Sequence, residues 1–207
     1  MTRYKGRVGI VSPSRSGSTY FRRYLCNHYG IQDSKSWLKH NLYKDIDTTD
    51  FAQKPHLLKI LPHYVLEQSI YSDMPCIWLY RKDIVTQFLS HVARLRTKIN
   101  HITNEEDRPS LETNSLSATY EEFERFSLKM HEFWLLYKEH GIPSEEMLIA
   151  YEDFLSNQQI VCEELDHHYK LKQNETVTTK ITKSLGIDYK EVFDNYEDIE
   201  SWFRNSA

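Results

Sequence analysis

The sequence predicts an α/β fold: a three-layer sandwich whose central parallel sheet of about four or five strands is flanked by helices. Three observations carry this. Residues 7–12 (RVGIVS), 56–61 (HLLKIL), 76–80 (CIWLY) and 147–151 (MLIAY) are nearly continuous in apolar residues rather than alternating. Strands buried on both faces of a sheet read this way. Segments with apolar residues at helical spacing lie between the runs, and alternation of strand and helix builds a parallel sheet through right-handed crossovers.

The elements follow in order. Residues 18–29 place Tyr20, Phe21, Tyr24, Leu25 and Tyr29 at helical spacing after the first run. Helical patterns over 63–71 and 84–98 follow the second and third runs. The clearest helix spans 119–140, where Phe123, Phe126, Met130, Phe133 and Tyr137 recur every three or four residues. Thr119 with Glu122 fits a capping box, and Gly141 is a natural stop. The tail from Asn174 reads as two short helices, ending with 189–203, whose apolar stripe (Val192, Phe193, Ile199, Trp202, Phe203) is expected to pack on the sheet. The stretches 32–54 and 100–117 carry no strong period; loops this long in a compact domain are usually functional or mobile.

Composition narrows the function. At 207 residues the chain is expected to form one domain, 1–207. Four Trp, fourteen Tyr and nine Phe exclude disorder as the main state. No apolar run approaches the ~20 residues that span a bilayer, and the N-terminal apolar stretch is too short for a signal peptide, so no membrane partner is expected. A net charge of -4 argues against a nucleic-acid partner. Three cysteines, Cys26, Cys76 and Cys162, form no metal spacing. Cys26 and Cys76 lie in apolar stretches and read as reduced core residues, so a cytoplasmic setting is expected.

Chemistry gathers in two places. Ser12-Pro13-Ser14-Arg15-Ser16-Gly17-Ser18-Thr19 joins the first strand to the first helix. An open parallel sheet places its anion sites at such a turn, where the N–H groups of a helix start point outward with partial positive charge. Gly17 lets backbone approach closely, Ser16, Ser18 and Thr19 add hydroxyls, and Arg15 adds a planar guanidinium. The combination suits a phosphate or sulfate group. The loop is P-loop-like in position, but only Gly17 and Thr19 fit the ATP-binding pattern: Ser12 stands at its first Gly and Ser18 at its Lys. That departure weighs against an ATPase or kinase, and a Ser-rich capped turn is the plain structural reading of the same residues.

The second place follows the third strand. Arg81 lies at that strand's carboxyl end, on the same sheet edge as the Ser/Gly loop, and Ser90 lies about two turns into the next helix. Read alone, Arg81 pairs with an acid and Ser90 is a small packing residue.

Together the two places resemble the sulfotransferases that use 3′-phosphoadenylyl sulfate (PAPS), and most nearly the bacterial carbohydrate, trehalose-type members. Arg81, Asp83, Gln87 and Ser90 fit that group's second motif, roughly Arg-x-Asp-x-x-x-Gln-x-x-Ser, position by position. Lys59, near the end of the second strand, stands where the family carries a Lys near the transferred group. Tyr151-Glu152-Asp153-Phe154 is similar to the family's Tyr-Glu-Asp-Leu. The matches run in family order over about three quarters of the chain, and each is short. Pro13 stands one residue early with Ser14 inserted, and no Gly-rich C-terminal loop is found, which leaves the adenosine contacts unassigned.

The resemblance implies transfer of a sulfuryl group from PAPS to a hydroxyl acceptor, a small molecule or carbohydrate, by in-line displacement without a metal. It implies donor binding by Arg15, Ser16, Gly17, Ser18, Thr19, Arg81 and Ser90, with Lys82 adding charge nearby. Arg15 and Lys59 would stabilise the departing oxygen. A general base is expected; His63, four residues after Lys59, ranks ahead of His40 and Asp33. His91 reads as structural or near the adenosine, His167 and His168 as surface residues, and Glu152 as the partner of a sheet-edge cation. Trp37, Tyr43 and Tyr64 could stack on an acceptor. Two alternatives stay open: a P-loop nucleotide kinase, which would need ATP and Mg²⁺, and a non-catalytic phosphoadenosine-binding or interaction module.

Overall fold

The structure, a computed structural model, describes residues 7–30, 56–62, 75–98, 111–143, 146–169 and 187–206. The expected helix over 63–71 and the stretch 32–54 lie outside these residues, as do 99–110.

The described strands are β1 (Arg7–Val11), β2 (His56–Ile60), β3 (Cys76–Tyr80) and β4 (Leu148–Ala150). They form one four-stranded parallel sheet in the order β2-β1-β3-β4. The apolar runs locate all of them, but the runs overstate their ends. Ser12 has left β1, although its N–H still donates to the Ile60 carbonyl at 3.1 Å. Tyr151 opens a helix instead of closing a strand.

Helices α1 (Ser18–His28), α2 (Ile84–Thr97), α3 (Tyr120–Leu136), α4 (Tyr151–Ser156), α5 (Gln158–Tyr169), α6 (Tyr189–Val192) and α7 (Tyr196–Ser206) complete the described elements. Alternate strand residues point to opposite sheet faces. Val8, Ile10, Ile77, Leu79 and Ile149 pack with Phe21 and Leu25 of α1, Phe154 of α4 and Leu165 of α5. Val11, Ile60, Cys76 and Trp78 face the other way, against Phe133 and Leu136 of α3. Both sheet faces are therefore covered, which is why the strands are apolar at successive positions.

A carboxylate and a phenol tie the amino end of β3. Glu146 accepts from the Cys76 N–H at 2.8 Å and from Trp78 Nε1 at 2.6 Å. Tyr169 donates its hydroxyl to the Cys76 carbonyl at 2.7 Å. Burial raises the Glu146 carboxyl above its ordinary value, while its two donors act in the opposite direction. Cys26, Cys76 and Cys162 are all buried free thiols. Among the described residues no helix is long and apolar enough to cross a membrane.

Two expectations about helices are corrected. The helix that starts at the Thr119–Glu122 capping box does not stay α-helical to His140: α3 ends at Leu136 and runs into a π turn, Tyr137–Gly141. Gly141 closes that turn because a Cβ there would overlap the Tyr137 ring and crowd the Trp78 indole. The aromatic tail packs on α2 and α3 rather than on the sheet. Phe193, Ile199, Trp202 and Phe203 form one cluster with Phe88, Leu89, Phe123 and Phe126. The ring of Phe88 lies 5.8 Å from Phe203 and 5.3 Å from Phe126.

This third cluster packs α2 against α3, α6 and α7. Phe88 is fully buried at its centre. Phe88→Ala should lower unfolding stability by about 3–5 kcal/mol in urea titration, the usual cost of emptying a buried aromatic site.

Candidate functional site

In the order β2-β1-β3-β4, the connection after β1 leads to one neighbour and β3 lies on the other side. The order in which strands are added to the sheet reverses there, and ligands of open parallel sheets bind at the carboxyl ends of the strands flanking such a point. The loops after β1 and β3 meet at this place.

The loop after β1 turns through two left-handed residues, Arg15 (φ 63°) and Gly17 (φ 80°). Left-handed turns of this kind aim successive N–H groups into anion-binding nests. Gly17 is the residue before α1, and no side chain caps that helix start. The first helical N–H groups therefore have no intrahelical acceptor. The ring of Tyr151 lies against Gly17 so closely that any Cβ would overlap it.

The first turns of α2 hold this loop from the side. Arg15 donates Nε–H to Ser90 Oγ at 2.9 Å. Gln87 donates Nε2–H to the Ser14 carbonyl at 2.8 Å. Ser14 Oγ lies 3.4 Å from His91 Nδ1. The two sequence motifs, 75 residues apart, thus meet through Arg15 and Ser90. Ser12 Oγ, Ser16 Oγ and Gln87 Oε1 are buried and have no hydrogen-bond partner among the described residues. Two of these atoms belong to the loop after β1 and the third to the helix beside it.

Positive charge collects here. Lys59 pairs in register with Ile10 and shares its sheet face with Leu57, toward α1. Burial and then the charges of Arg22, Arg15 and Arg94 push its ammonium down to about 8. Arg15 is lowered as well, first by burial; Arg94 and Arg81 add to that, against an opposing contribution from Tyr189. Burial, with Lys129, Arg94 and Arg15, pushes His91 down to about 4, so this imidazole is neutral at pH 7.

Arg81 and Lys82 both meet acids on α4. Arg81 Nε donates to Glu152 Oε1 at 3.3 Å, and its guanidinium lies over the Tyr151 ring, 5.8 Å from the centroid. Glu152 also accepts from the backbone N–H of Lys82 at 2.9 Å and of Asp83 at 3.4 Å. Lys82 Nζ pairs with Asp153 at 2.5 Å on the exposed surface. The pairing of Glu152 with a sheet-edge cation is thus as the sequence led us to expect. Asp83 accepts from the Thr86 N–H at 2.9 Å and caps α2.

The structure therefore brings Arg15, Ser16, Gly17, Ser18, Thr19, Lys59 and Ser90 to one edge, with Arg81 beside them on Glu152. His63, His40, Asp33, Trp37, Tyr43 and Tyr64 lie outside the described residues. His167 and His168 are exposed at the end of α5. Sequence reasoning missed Arg22 and Arg94. Their signal was helical spacing: Arg22 is one turn after Ser18, and Arg94 one turn after Ser90. No protein-family model and no curated protein matches the chain.

Gly17 gives the site a direct test. Gly17→Ala forces a left-handed alanine against the Tyr151 ring. It should destabilise the fold by about 2–4 kcal/mol, read by chemical denaturation.

Proposed function

We propose that this protein is a sulfotransferase of P-loop-like three-layer architecture, transferring a sulfuryl group from PAPS to a hydroxyl acceptor. The observation that carries the reading is the hydrogen bond from Arg15 to Ser90, which joins both resembling motifs within one cationic crevice. The chemistry of the residues fits the donor. PAPS presents two separate anionic groups, a 5′-phosphosulfate and a 3′-phosphate. The loop from Arg15 to Thr19 supplies N–H groups, hydroxyls and a guanidinium for the first. Ser90, on α2, and Arg81, after β3, are assigned to the second by resemblance. The buried unpartnered hydroxyls of Ser12 and Ser16 support a polar occupant.

In an in-line displacement the acceptor oxygen forms its bond to sulfur as the bond from sulfur to the bridging oxygen breaks. Charge then grows on that bridging oxygen, leaving with 3′,5′-phosphoadenosine. Arg15 and Lys59 are the fixed cations offered to it, and preorganised charge in a partly dry site is worth more than the same charge in water. The acceptor must also lose a proton. His91, at about 4, is a weak base at neutral pH and is already turned toward Ser14. His63 remains our candidate for that role. The acceptor class, with carbohydrate favoured, rests on resemblance alone.

Lys59 makes the reading pH-dependent. Its ammonium titrates near 8 in the free protein. A bound polyanion favours the charged form and raises that value. Binding then takes up a proton above pH 8, so affinity for 3′,5′-phosphoadenosine should fall as pH rises from about 7 through about 8. Lys59→Met should flatten this fall in calorimetric titrations across the same range.

The defining measurement is calorimetric titration with 3′,5′-phosphoadenosine in EDTA, with ATP and ADP as controls. Metal-independent binding that prefers the 3′-phosphate is expected. Mg²⁺-dependent ATP binding, with none for phosphoadenosine, would return the Ser/Gly loop to the kinase class.

A further inference from the structure

Arg94 belongs to neither motif. It follows Gln87 by seven residues and Ser90 by four, so it shares their face of α2. The other members of that face all meet the loop after β1. Gln87 holds the Ser14 carbonyl, Ser90 receives Arg15, and His91 faces the Ser14 hydroxyl. The opposite face, with Phe88, Leu89, Val92 and Ala93, is buried in the aromatic cluster, which fixes the rotation of α2. Arg94 is half-buried. Its charge depresses Arg15, Lys59 and His91 alike.

Among the described residues, the charges of Arg22, Arg15 and Arg94 push Lys59 down, and Arg94 adds to the lowering of Arg15. Like charges gathered at a half-buried edge favour the arrival of an anion. The planar fork of an arginine suits a phosphate oxygen pair.

We propose that Arg94 is an anion-binding residue of this crevice and that, beside Ser90, it holds the phosphate monoester standing apart from the transferred group. This rests on the sulfotransferase reading and adds a ligand-binding residue to it. Arg81 then serves the site in part as a clamp, holding the loop after β3 to Glu152.

The test compares two ligands that differ only in that phosphate, 3′,5′-phosphoadenosine and adenosine 5′-monophosphate. Both are titrated into the wild-type protein, Arg94→Gln and Arg94→Lys, with circular dichroism as the fold control. The wild-type protein should prefer the bisphosphate. Arg94→Gln should cut that preference by about tenfold or more, as expected for a lost charged hydrogen bond, and leave the affinity for the monophosphate within about twofold. Arg94→Lys, which keeps the charge but not the fork, should fall between them. An unchanged preference in Arg94→Gln overturns the assignment, and so does an equal loss for both ligands, which would make Arg94 a structural residue. Should Arg94→Gln not fold, an unchanged preference in Arg94→Lys overturns it instead. A wild-type protein that binds no phosphoadenosine overturns the sulfotransferase reading itself, a result separate from either.

Discussion

Arg15, Arg22, Lys59 and Arg94 bring like charge to one edge of the sheet, and their mutual repulsion is the constraint that the surrounding structure answers. Each comes from a different element: the loop after β1, α1, β2 and α2. Lys59 shows the cost directly, since its ammonium is pushed down to about 8 by burial and by the other three. Repulsion of this kind would spread a loosely held crevice. It is resisted by a guanidinium on a hydroxyl, Arg15 on Ser90, by the Gln87 amide on the Ser14 carbonyl, and by the Tyr151 ring seated on Gly17. These anchors are a hydroxyl, an amide and a phenol ring, so they hold the loop without themselves bringing a charge to it.

Acid appears one step away. Glu152 joins Arg81 to the backbone of Lys82 and Asp83, and Asp83 caps α2. The short segment Tyr151-Glu152-Asp153 therefore touches both sides of the site: the ring reaches the loop after β1, and the carboxylates reach the loop after β3. This explains why a segment that reads as a strand ending is instead the start of a helix. Its side chains must project across the sheet edge, and a helical turn presents three successive residues there in different directions.

The sheet was legible because burial on both faces leaves a plain mark, continuous apolar residues such as 76–80. The capping box of α3 was legible because it needs only Thr119 and Glu122. The π turn after Leu136 was not, since it depends on how Tyr137, Gly141 and Trp78 fit together across the chain. The destination of the tail was hidden for a similar reason: an apolar stripe specifies that it is buried, not against what. At the site, the sequence located the loop and Ser90 but not their contact. It read Glu152 as the partner of a sheet-edge cation, and the structure makes that cation Arg81. Arg22 and Arg94 were readable only by asking which residues share a helical face with Ser18 and Ser90.

The two faces of α2 also tie distant parts of the chain into one mechanical unit. One face grips the loop that carries Arg15; the other is wedged between α3 and α7, with Phe88 against Phe126 and Phe203. α7 thus acts as a buttress for the helix that carries Ser90. Sequence drift at Phe203 or Trp202 would be felt as a change of grip at Ser90, so residues that look like ordinary packing at the end of the chain belong, in functional terms, to the site.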